Sequence, residues 1–295
     1  MAELTTGFPG LALVGFGEAG HAFATGWSRP EEWEPVAYDL KLGDPDTAAA
    51  MRQRCAAAGV RAAEDRAAAL SGAGLVFSVV TADQALEAAR ACAPFLEHGA
   101  FWLDCNSCAP QTKQRAAALI EAAGGRYVDV AVMAPVHPKR HEVPLLLAGP
   151  HAAEAASLIA RLGMRPSVSG DRIGDASSIK MLRSVMIKGL EALTTECLLA
   201  ARRAGVEDAV IASLQASDPG FDWRARGAYN LERMMVHGER RAAEVEEVCA
   251  TLRDLGLPDW MSRGTVEWQR RIGSLGVAPG PDDLASRIDA LLDRL

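Results

Sequence analysis

Short apolar runs alternate with alanine-rich helical stretches over the first 172 residues of the chain. Continuous apolar runs predict strands that are buried on both faces, as in a parallel sheet covered by helices. The predicted strands are 11–14, 36–39, 75–80, 100–104 and 127–132, and the predicted helices are 19–27, 47–58, 84–93, 111–122 and 152–162, with helix-forming composition also at 62–70. This alternation predicts an α/β fold with a doubly wound parallel sheet.

The pattern changes after Gly174. Residues 176–204 are predicted to form one long helix, and helical periodicity continues beyond it without a convincing strand. The loop at 169–171, which contains Ser, Gly and Asp, marks the boundary between the two patterns. We therefore predict a first domain at 1–172 and an all-α second domain at 173–295.

A glycine-rich turn ends the first predicted strand and opens a helix. In its G-x-G-x-x-G spacing, Gly15 permits a tight turn, Gly17 lets backbone approach a pyrophosphate, and Gly20 lets the helix pack on the sheet. The free N–H groups of the helix would then face the phosphates of a dinucleotide. The alternative is an ordinary strand–helix turn. The predicted cofactor contacts in this turn are Gly15, Phe16, Gly17, Glu18, Ala19 and Gly20.

A carboxylate, Asp39, ends the second predicted strand about twenty positions after the turn. A carboxylate at this point accepts hydrogen bonds from the adenosine ribose hydroxyls and repels a 2′-phosphate, which favours NAD over NADP. Lys41 follows two residues later and could weaken that preference, so NADP stays an alternative. Thr81, just after the strand at 75–80, is a further predicted cofactor contact or else a helix cap.

The charge and the hydropathy of the chain exclude several classes of protein. A formal net charge of −7 argues against a surface for nucleic acid or an acidic membrane. Because no apolar run could span a bilayer and the first residues do not resemble a signal peptide, we expect a cytoplasmic protein. Its six cysteines are expected to be free thiols. Cys105 and Cys108 form a C-x-x-C pair that could be redox-active or bind zinc, but nothing nearby completes a metal site, so no metal is predicted.

Four segments occur in an order that is shared with a known superfamily. They are the glycine turn at 15–20, the loop at 104–110, the strand at 129–132 and Lys180 near the start of the long helix. In this order they resemble the β-hydroxyacid dehydrogenases, which include 6-phosphogluconate and 3-hydroxyisobutyrate dehydrogenases. The resemblance implies a Rossmann-type NAD(P)-binding domain and a 6-phosphogluconate dehydrogenase-like all-α domain. It also implies that Asn106 and Ser107 bind substrate beside the nicotinamide, with Asn106 contacting the cofactor, and that Lys180 is the general acid/base. The alternative role of the two loop residues is to cap the helix that begins near Pro110.

Three departures separate the chain from the better known members of the superfamily. Residues 133–135, Met-Ala-Pro, stand where a Ser-Gly-Gly turn usually holds substrate. Ser184 replaces a common asparagine, and Ile187 and Lys188 replace the glutamate and tyrosine of 6-phosphogluconate dehydrogenase. The segment 235–242 resembles the less characterised branch, whose C-terminal domain long carried only a provisional name.

Hydride transfer at an alcohol carbon requires a group that takes or returns the hydroxyl proton. Lys180 can do this when burial and neighbouring positive charge favour its neutral amine; otherwise it is a solvent-facing lysine. On helical spacing Ser184 and Lys188 share a broad face with Lys180, and both are predicted substrate ligands. Glu191 lies on the same face and could simply pair with Lys188.

Basic residues gather at two further places. His137 belongs to a proline-bounded basic loop at 137–141, which is either a substrate clamp or solvated surface. His237, Arg240 and Arg241 could make charge-assisted bonds to a carboxylate or phosphate, although charged residues on helices are usually just exposed. If both groups face the site, the substrate is anionic.

We therefore predict an NAD(P)-dependent oxidoreductase that acts on the CH–OH group of a small anionic β-hydroxy acid, or on its carbonyl form. An imine reductase would share the fold and cofactor, but that relative typically carries aspartate or tyrosine at the position of Lys180. A non-catalytic nicotinamide-binding sensor or regulatory protein is the other alternative. Because a monomer would leave apolar surface of the second domain's helices exposed, the sequence also predicts a homodimer.

Overall fold

The computed structural model describes residues 9–28 and 33–295. The chain folds into two compact units, Met1–Lys180 and Met181–Leu295. The strands of the first unit are β1 (Gly10–Val14), β2 (Val36–Tyr38), β3 (Arg61–Ala62), β4 (Ala73–Ser78), β5 (Phe101–Asp104), β6 (Arg126–Val132), β7 (Pro144–Ala148) and β8 (Arg165–Gly170). They form one sheet with the order β3-β2-β1-β4-β5-β6-β7-β8. Neighbouring strands are parallel except β6 and β7, so the predicted doubly wound parallel sheet is confirmed with one antiparallel pair.

Helices cover both faces of this sheet. They are α1 (Glu18–Ala24), α2 (Pro45–Ala57), α3 (Arg66–Leu70), α4 (Ala85–Cys92), α5 (Pro110–Ala122) and α6 (Ala152–Ala160). Along β1, Leu11 and Leu13 join the core that contains α1, α2 and α6, whereas Ala12 and Val14 join the core that contains α3, α4 and α5. Because successive side chains of a strand point to opposite faces, a strand that is buried on both shows a continuous apolar run.

A long helix, α7 (Asp175–Arg203), begins on the sheet. Oδ2 of Asp129 on β6 accepts hydrogen bonds from the backbone N–H of Gly174 at 3.1 Å and from the N–H and hydroxyl of Ser177, each at 3.0 Å. The carboxylate thereby satisfies N–H groups that a helix start leaves unpaired, and it complements the helix dipole. This attachment keeps the first turns of α7 with the sheet. The compact units therefore divide after Lys180, inside the helix, whereas the boundary predicted between residues 172 and 173 lies in the loop before it.

The second unit is helical, as predicted. After α7 it contains α8 (Glu207–Ser217), α9 (Trp223–Asp254), α10 (Trp260–Ser274) and α11 (Leu284–Leu292). Its largest core joins Leu231 and Met234 of α9 to Ile288 of α11. The helices α9 and α10 touch backbone to backbone, because a Cβ on Gly238 would lie 2.3 Å from the carbonyl oxygen of Gln269.

Three strands are not anticipated by the hydrophobic pattern. β3 is only two residues long, and β8 is a partly exposed edge strand with the polar sequence Arg-Pro-Ser-Val-Ser-Gly. β7 is Pro-Leu-Leu-Leu-Ala, and because leucine has a high helix propensity this run does not indicate a strand. The expectation of a helix at 62–70 holds only for Arg66–Leu70, because Ala62 pairs in β3 and the Asp65 carboxylate caps α3 through the N–H of Ala68 at 2.8 Å.

Membrane-spanning helices and metal-binding clusters are both absent from the described residues. Within 9–28 and 33–295, no helix combines the length and apolar character needed to cross a membrane. Over the same residues, His, Cys, Asp and Glu side chains form no group of three that could hold a metal ion.

Candidate functional site

The glycine turn lies at the carboxyl end of β1 and is shaped by two different glycines. Gly15 has φ +91°, and a Cβ there would lie 2.7 Å from the carbonyl oxygen of Val79, next to the end of β4. Only glycine tolerates both conditions. A Cβ on Gly17 would meet no atom within 4 Å, so this glycine borders open space. Since α1 starts at Glu18 and Gly17 offers no side-chain cap, the first N–H groups of the helix are available to an anion.

Asp39 follows β2 and braces the turn. Its Oδ2 accepts the backbone N–H of Phe16 at 2.7 Å, and its Oδ1 accepts that of Lys41 at 3.0 Å. Each carboxylate oxygen has a second lone pair that can accept a ribose hydroxyl. On the other side of the turn, the Arg54 guanidinium donates to the carbonyl oxygen of Gly17 at 3.2 Å. Asp39 is therefore both part of the turn and a candidate ligand.

The candidate cofactor residues converge where the strand order reverses. β1 and β4 are neighbours, and the chain connections leave them in opposite directions across the sheet. Ligands of open α/β sheets bind at this switch point, outside the carboxyl ends of the strands. Thr81 lies there after β4; it is exposed, and it precedes a short 3-10 turn (Ala82–Gln84) without making a side-chain cap bond. The capping role that was its alternative is therefore not observed.

Asn106 is buried in the loop after β5. Its backbone N–H and its Nδ2 both donate to Oδ1 of Asp104, at 3.0 and 2.7 Å, and Nδ2 also donates to the hydroxyl of Ser78 at 3.0 Å. The helix α5 has Ala109, not Asn106 or Ser107, at its N-cap. Among the described residues, Oδ1 of Asn106 has no hydrogen-bond partner although it is buried. A buried acceptor without a partner is costly, and it marks a place where a ligand can donate.

Lys180 meets the same loop from α7. Its Nζ donates to the hydroxyl oxygen of Ser107 at 2.5 Å, and its side chain is half-buried. The solvent-facing alternative for this lysine therefore does not describe its environment. Lys180 and Ser107 are 73 positions apart in the sequence, and only the superfamily resemblance predicted that both belong to one site. In the structure they are in contact.

The other polar residues of α7 form a buried network within the second unit. Nζ of Lys188 contacts the Glu244 carboxylate at 3.0 Å and donates to the Ser184 hydroxyl at 3.2 Å. Burial lowers the pKa of Lys188, against the opposing effect of the Glu244 carboxylate. Glu191 instead accepts two bonds from Arg241, one of them at 2.9 Å from Nε, and a third from Gln269 at 2.8 Å. The possible pairing of Glu191 with Lys188 is not observed, because the Glu191 carboxylate binds Arg241 and Gln269 instead.

The remaining basic residues differ in exposure. His137 is exposed in the loop after β6, and it lies close enough to His21 to help burial and Arg54 lower the pKa of that histidine. His237 is half-buried, and burial followed by the charge of Arg233 lowers its pKa. Arg240 is exposed and pairs with Glu244 at 2.5 Å.

The basic loop at 137–141 is not solvated throughout. His141 is buried, and a Cβ on Gly26 or Gly163 would press against its ring at 2.1 and 3.1 Å. Burial lowers the pKa of His141. This end of the loop is therefore packed into the first unit, while His137 faces outward.

The C-x-x-C pair lies in the same loop as Asn106. Cys105 and Cys108 are not joined by a disulfide and are both buried, and burial raises the pKa of Cys105 to about 12. A thiol becomes reactive or ligates a metal as its thiolate, so this environment opposes both roles.

Sequence reasoning overlooked three buried groups beneath this loop. The carboxylate of Asp104 accepts the hydroxyl of Tyr127 at 2.7 Å and contacts the ammonium of Lys113 at 3.0 Å. All three side chains are fully buried. The sequence signal for these groups was Asp104, the acidic residue that ends an otherwise apolar strand, because a buried carboxylate needs hydrogen-bond or charge partners.

Two family models match the chain. Residues 10–158 match the NAD binding domain of 6-phosphogluconate dehydrogenase. Residues 201–272 match a domain of unknown function, DUF1932. The first match contains the glycine turn and the loop of Asn106, and the second contains the segment 235–242, on which the resemblance to the less characterised branch rested.

Several known proteins are similar to the chain. A conserved hypothetical protein from Sinorhizobium meliloti is 38% identical, with 99% of this chain and 98% of that chain covered and a TM-score of 0.80. The conserved protein MTH1747, described as structurally similar to 3-hydroxyacid dehydrogenases, is 30% identical over 90% of this chain and 96% of that chain, with a TM-score of 0.70. The 3-hydroxyisobutyrate dehydrogenase of Mycobacterium tuberculosis, solved with L-serine, shares the fold at 13% identity, 97% and 99% coverage and a TM-score of 0.74. A curated protein of Methanothermus fervidus is 25% identical over 174 residues, which is 59% of this chain and 66% of that protein.

Proposed function

The chain belongs to the β-hydroxyacid dehydrogenase superfamily, with a DUF1932 C-terminal domain, and on that premise we propose its reaction. It transfers hydride between NAD(P) and a small anionic β-hydroxy acid or the corresponding carbonyl compound, with Lys180 as the general acid/base. The observation that carries the proposal is the contact between Lys180 and Ser107 at 2.5 Å, in the loop after β5, which is separated from β1 and its dinucleotide turn only by β4. A lysine in this position can exchange a proton with a substrate that is held by the same loop.

The residues at the carboxyl ends of the strands fit a bound dinucleotide. The open space at Gly17 leaves room for a pyrophosphate beside free N–H groups of α1, and Asp39 retains lone pairs for ribose hydroxyls. Thr81 and Oδ1 of Asn106 supply further polar groups. When bound, the nicotinamide supplies the carbon that accepts or delivers hydride.

The roles of the loop and the lysine follow from their hydrogen bonds. In the oxidation direction the neutral amine of Lys180 accepts the hydroxyl proton of the substrate, and in reduction the ammonium returns it to the carbonyl oxygen. The Ser107 hydroxyl accepts a hydrogen bond from Nζ and so fixes the direction of the amine. Asn106, whose Nδ2 is held by Asp104 and Ser78, keeps Oδ1 oriented as a rigid acceptor.

We also propose that basic side chains bind the anionic group of the substrate. Lys188 is paired with the Glu244 carboxylate, and Arg241 is paired with the Glu191 carboxylate. Both cations therefore have a structural role besides the proposed contact with substrate. Exposed charged groups retain donors for an anion. The full set of proposed substrate ligands is Asn106, Ser107, His137, Ser184, Lys188, His237, Arg240 and Arg241.

A substrate panel tests the reaction class. We expect NAD⁺ or NADP⁺ reduction, followed at 340 nm, with at least one of 3-hydroxyisobutyrate, 3-hydroxypropionate, glycerate and L-serine, and a much lower rate with the uncharged alcohol of the same skeleton. Oxo acids and imines are tested in the reverse direction with NADH and NADPH. Turnover of imines alone would identify an imine reductase. Cofactor binding without turnover of any compound would favour the sensor.

The Asp39 carboxylate should set the cofactor preference. We expect wild-type protein to prefer NAD⁺, and Asp39→Asn to shift the ratio of NAD⁺ to NADP⁺ affinities about tenfold toward NADP⁺, because the negative charge beside the ribose is removed. An amide oxygen can still accept one of the two backbone bonds. The measurement is a fluorescence titration with each reduced cofactor. Asp44→Asn is the control, since Asp44 also caps a helix start through a backbone N–H, at 3.0 Å. An unchanged ratio in Asp39→Asn contradicts this role.

We propose that the chain forms a homodimer through an apolar stripe on α7. Leu182, Met186 and Leu193 share one face of the helix and are 43%, 62% and 56% exposed. Large apolar side chains in such a row mark an interaction surface, and the proposed partner is a second copy. We expect a dimeric mass in light scattering at micromolar concentration and a monomeric mass for Met186→Glu with Leu193→Glu. A monomeric wild-type protein would refute the proposal.

A further inference from the structure

A lysine on α5 is buried between two aspartates of the sheet. Lys113 is completely shielded from solvent, and its Nζ donates to the carbonyl oxygen of Asp104 at 2.5 Å, to Oδ1 of Asp104 at 3.0 Å and to the carbonyl oxygen of Val130 at 3.4 Å. The same ammonium lies 3.5 Å from Oδ1 of Asp129. Burial by itself would lower the pKa of Lys113, but Asp104 and the other negative neighbours raise it above its usual value. The ammonium of Lys113 therefore links β5 to β6.

The first aspartate of this link holds the substrate loop. Asp104 accepts the N–H and the Nδ2 of Asn106, at 3.0 and 2.7 Å, and the Tyr127 hydroxyl at 2.7 Å. These bonds fix the backbone immediately before Ser107. Since Asn106 uses its donors on the sheet side, its Oδ1 is the atom left for a ligand.

The second aspartate holds the helix of the proposed acid/base. Asp129 accepts Gly174 and Ser177 at the start of α7, and Lys180 follows Ser177 by one helical turn. A shift at Asp129 would therefore move the amine of Lys180 relative to the hydroxyl of Ser107. Both partners of the 2.5 Å contact are thus anchored to carboxylates that share one ammonium.

We propose that Lys113 is a positioning residue that sets the loop of Asn106 and Ser107 and the first turn of α7 in register with each other. This inference rests on the proposed function, because that function defines the geometry which must be kept. Lys113 itself touches neither substrate nor cofactor. Its effect reaches the reacting groups through Asp104 on one side and Asp129 on the other.

The test compares Lys113→Met with Arg126→Met. Arg126 is a cation at the opposite end of the same strand pair, where it bonds Gly99 and Glu154, so its loss removes a cation from the sheet without touching the loop. We expect Lys113→Met to lower kcat about 30-fold or more on the best compound of the substrate panel, with the Kd for NADH changed by less than twofold. Arg126→Met should change neither quantity by more than threefold. All rates are measured well below the Tm of each variant and are corrected for the folded fraction.

A double variant separates positioning from simple loss of stability. Lys113→Met leaves two buried carboxylates without their cation, whereas Lys113→Met with Asp104→Asn removes one charge of each sign. We expect the Tm of the double variant to recover toward wild type while its kcat stays low. Recovery of kcat together with Tm, or a kcat within threefold of wild type in Lys113→Met, would overturn the proposal. If Lys113→Met does not fold, the kcat of the double variant is compared with that of Asp104→Asn alone, which keeps the lysine, and equal kcat values in these two variants would overturn the proposal.

Hydrogen exchange keeps this test independent of the proposed reaction. We expect faster exchange at both 105–109 and 174–180 in the double variant, and unchanged exchange at 10–14, in protein without added cofactor. If wild-type protein turns over no compound, the proposed function fails but this coupling can still be measured. Unchanged exchange in either of the two segments would show that Lys113 does not connect them.

Discussion

Lys180→Met is expected to lower kcat by roughly 10²–10⁴-fold, the range that a positioned general acid or base contributes. Methionine keeps an unbranched apolar stem, so the packing of α7 against the loop should persist while the amine is lost. Cofactor affinity should change by less than twofold, because the turn and Asp39 follow β1 and β2, whereas Lys180 contacts the loop after β5. The measurements are steady-state rates at 340 nm and a fluorescence titration with NADH.

The control for Lys180→Met is Arg183→Met, which removes an exposed cation from the next turn of the same helix. Its kcat should equal that of wild type. Lys180→Ala with added methylamine gives a second check, because a free amine that restores part of the rate identifies the missing group as a proton carrier. Turnover of Lys180→Met within fivefold of wild type would exclude this lysine as the acid/base.

Replacement by valine should have different effects at two glycines of the dinucleotide turn, one on cofactor affinity and the other on stability. Gly17 has φ −73°, which any residue adopts, and its Cβ would enter open space. Gly17→Val should therefore keep the wild-type Tm but raise the Kd for NADH at least 100-fold, because the side chain fills the approach of the pyrophosphate. Gly15→Val should instead lose stability, since φ +91° alone costs about 1–3 kcal/mol and the Cβ would meet the Val79 carbonyl at 2.7 Å.

Thermal unfolding and NADH titration of both glycine variants distinguish these effects. Gly17→Ala is the graded control for Gly17→Val, with a smaller loss of affinity expected from its single methyl group. A Gly17→Val protein that binds NADH as wild type does would remove the turn from the cofactor site. A Gly17→Val protein that loses as much stability as Gly15→Val would show that the space beside Gly17 is needed for folding.

The cofactor half of the candidate site could be predicted from sequence because its signal is local. Gly15, Gly17 and Asp39 follow from spacing within about thirty residues, and the apolar runs of β1, β4 and β5 follow from burial on both faces. The strands β7 and β8 could not be predicted in the same way. The former is a leucine run that suits either secondary structure, and the latter is a polar edge.

The buried polar contacts could not be predicted because they join residues far apart in the chain. Arg241 and Glu191 are 50 positions apart, and sequence spacing suggested a partner on the same helix for Glu191 instead. Lys113 is the clearest case. A lysine in an alanine-rich helix is normally expected in solvent, and only the fold brings Asp104 and Asp129 to its ammonium.

The transfer of deuterium tests the proposed reaction most directly. The substrate is the best hydroxy acid of the panel, labelled with deuterium on the carbon that bears the hydroxyl group, and the cofactor recovered after the reaction is analysed by mass spectrometry. We expect the reduced nicotinamide to carry the label in wild-type protein, and no labelled cofactor above background in Lys180→Met over the same time. An unlabelled cofactor, or no reduction with any hydroxy acid of the panel, would contradict direct hydride transfer by this protein.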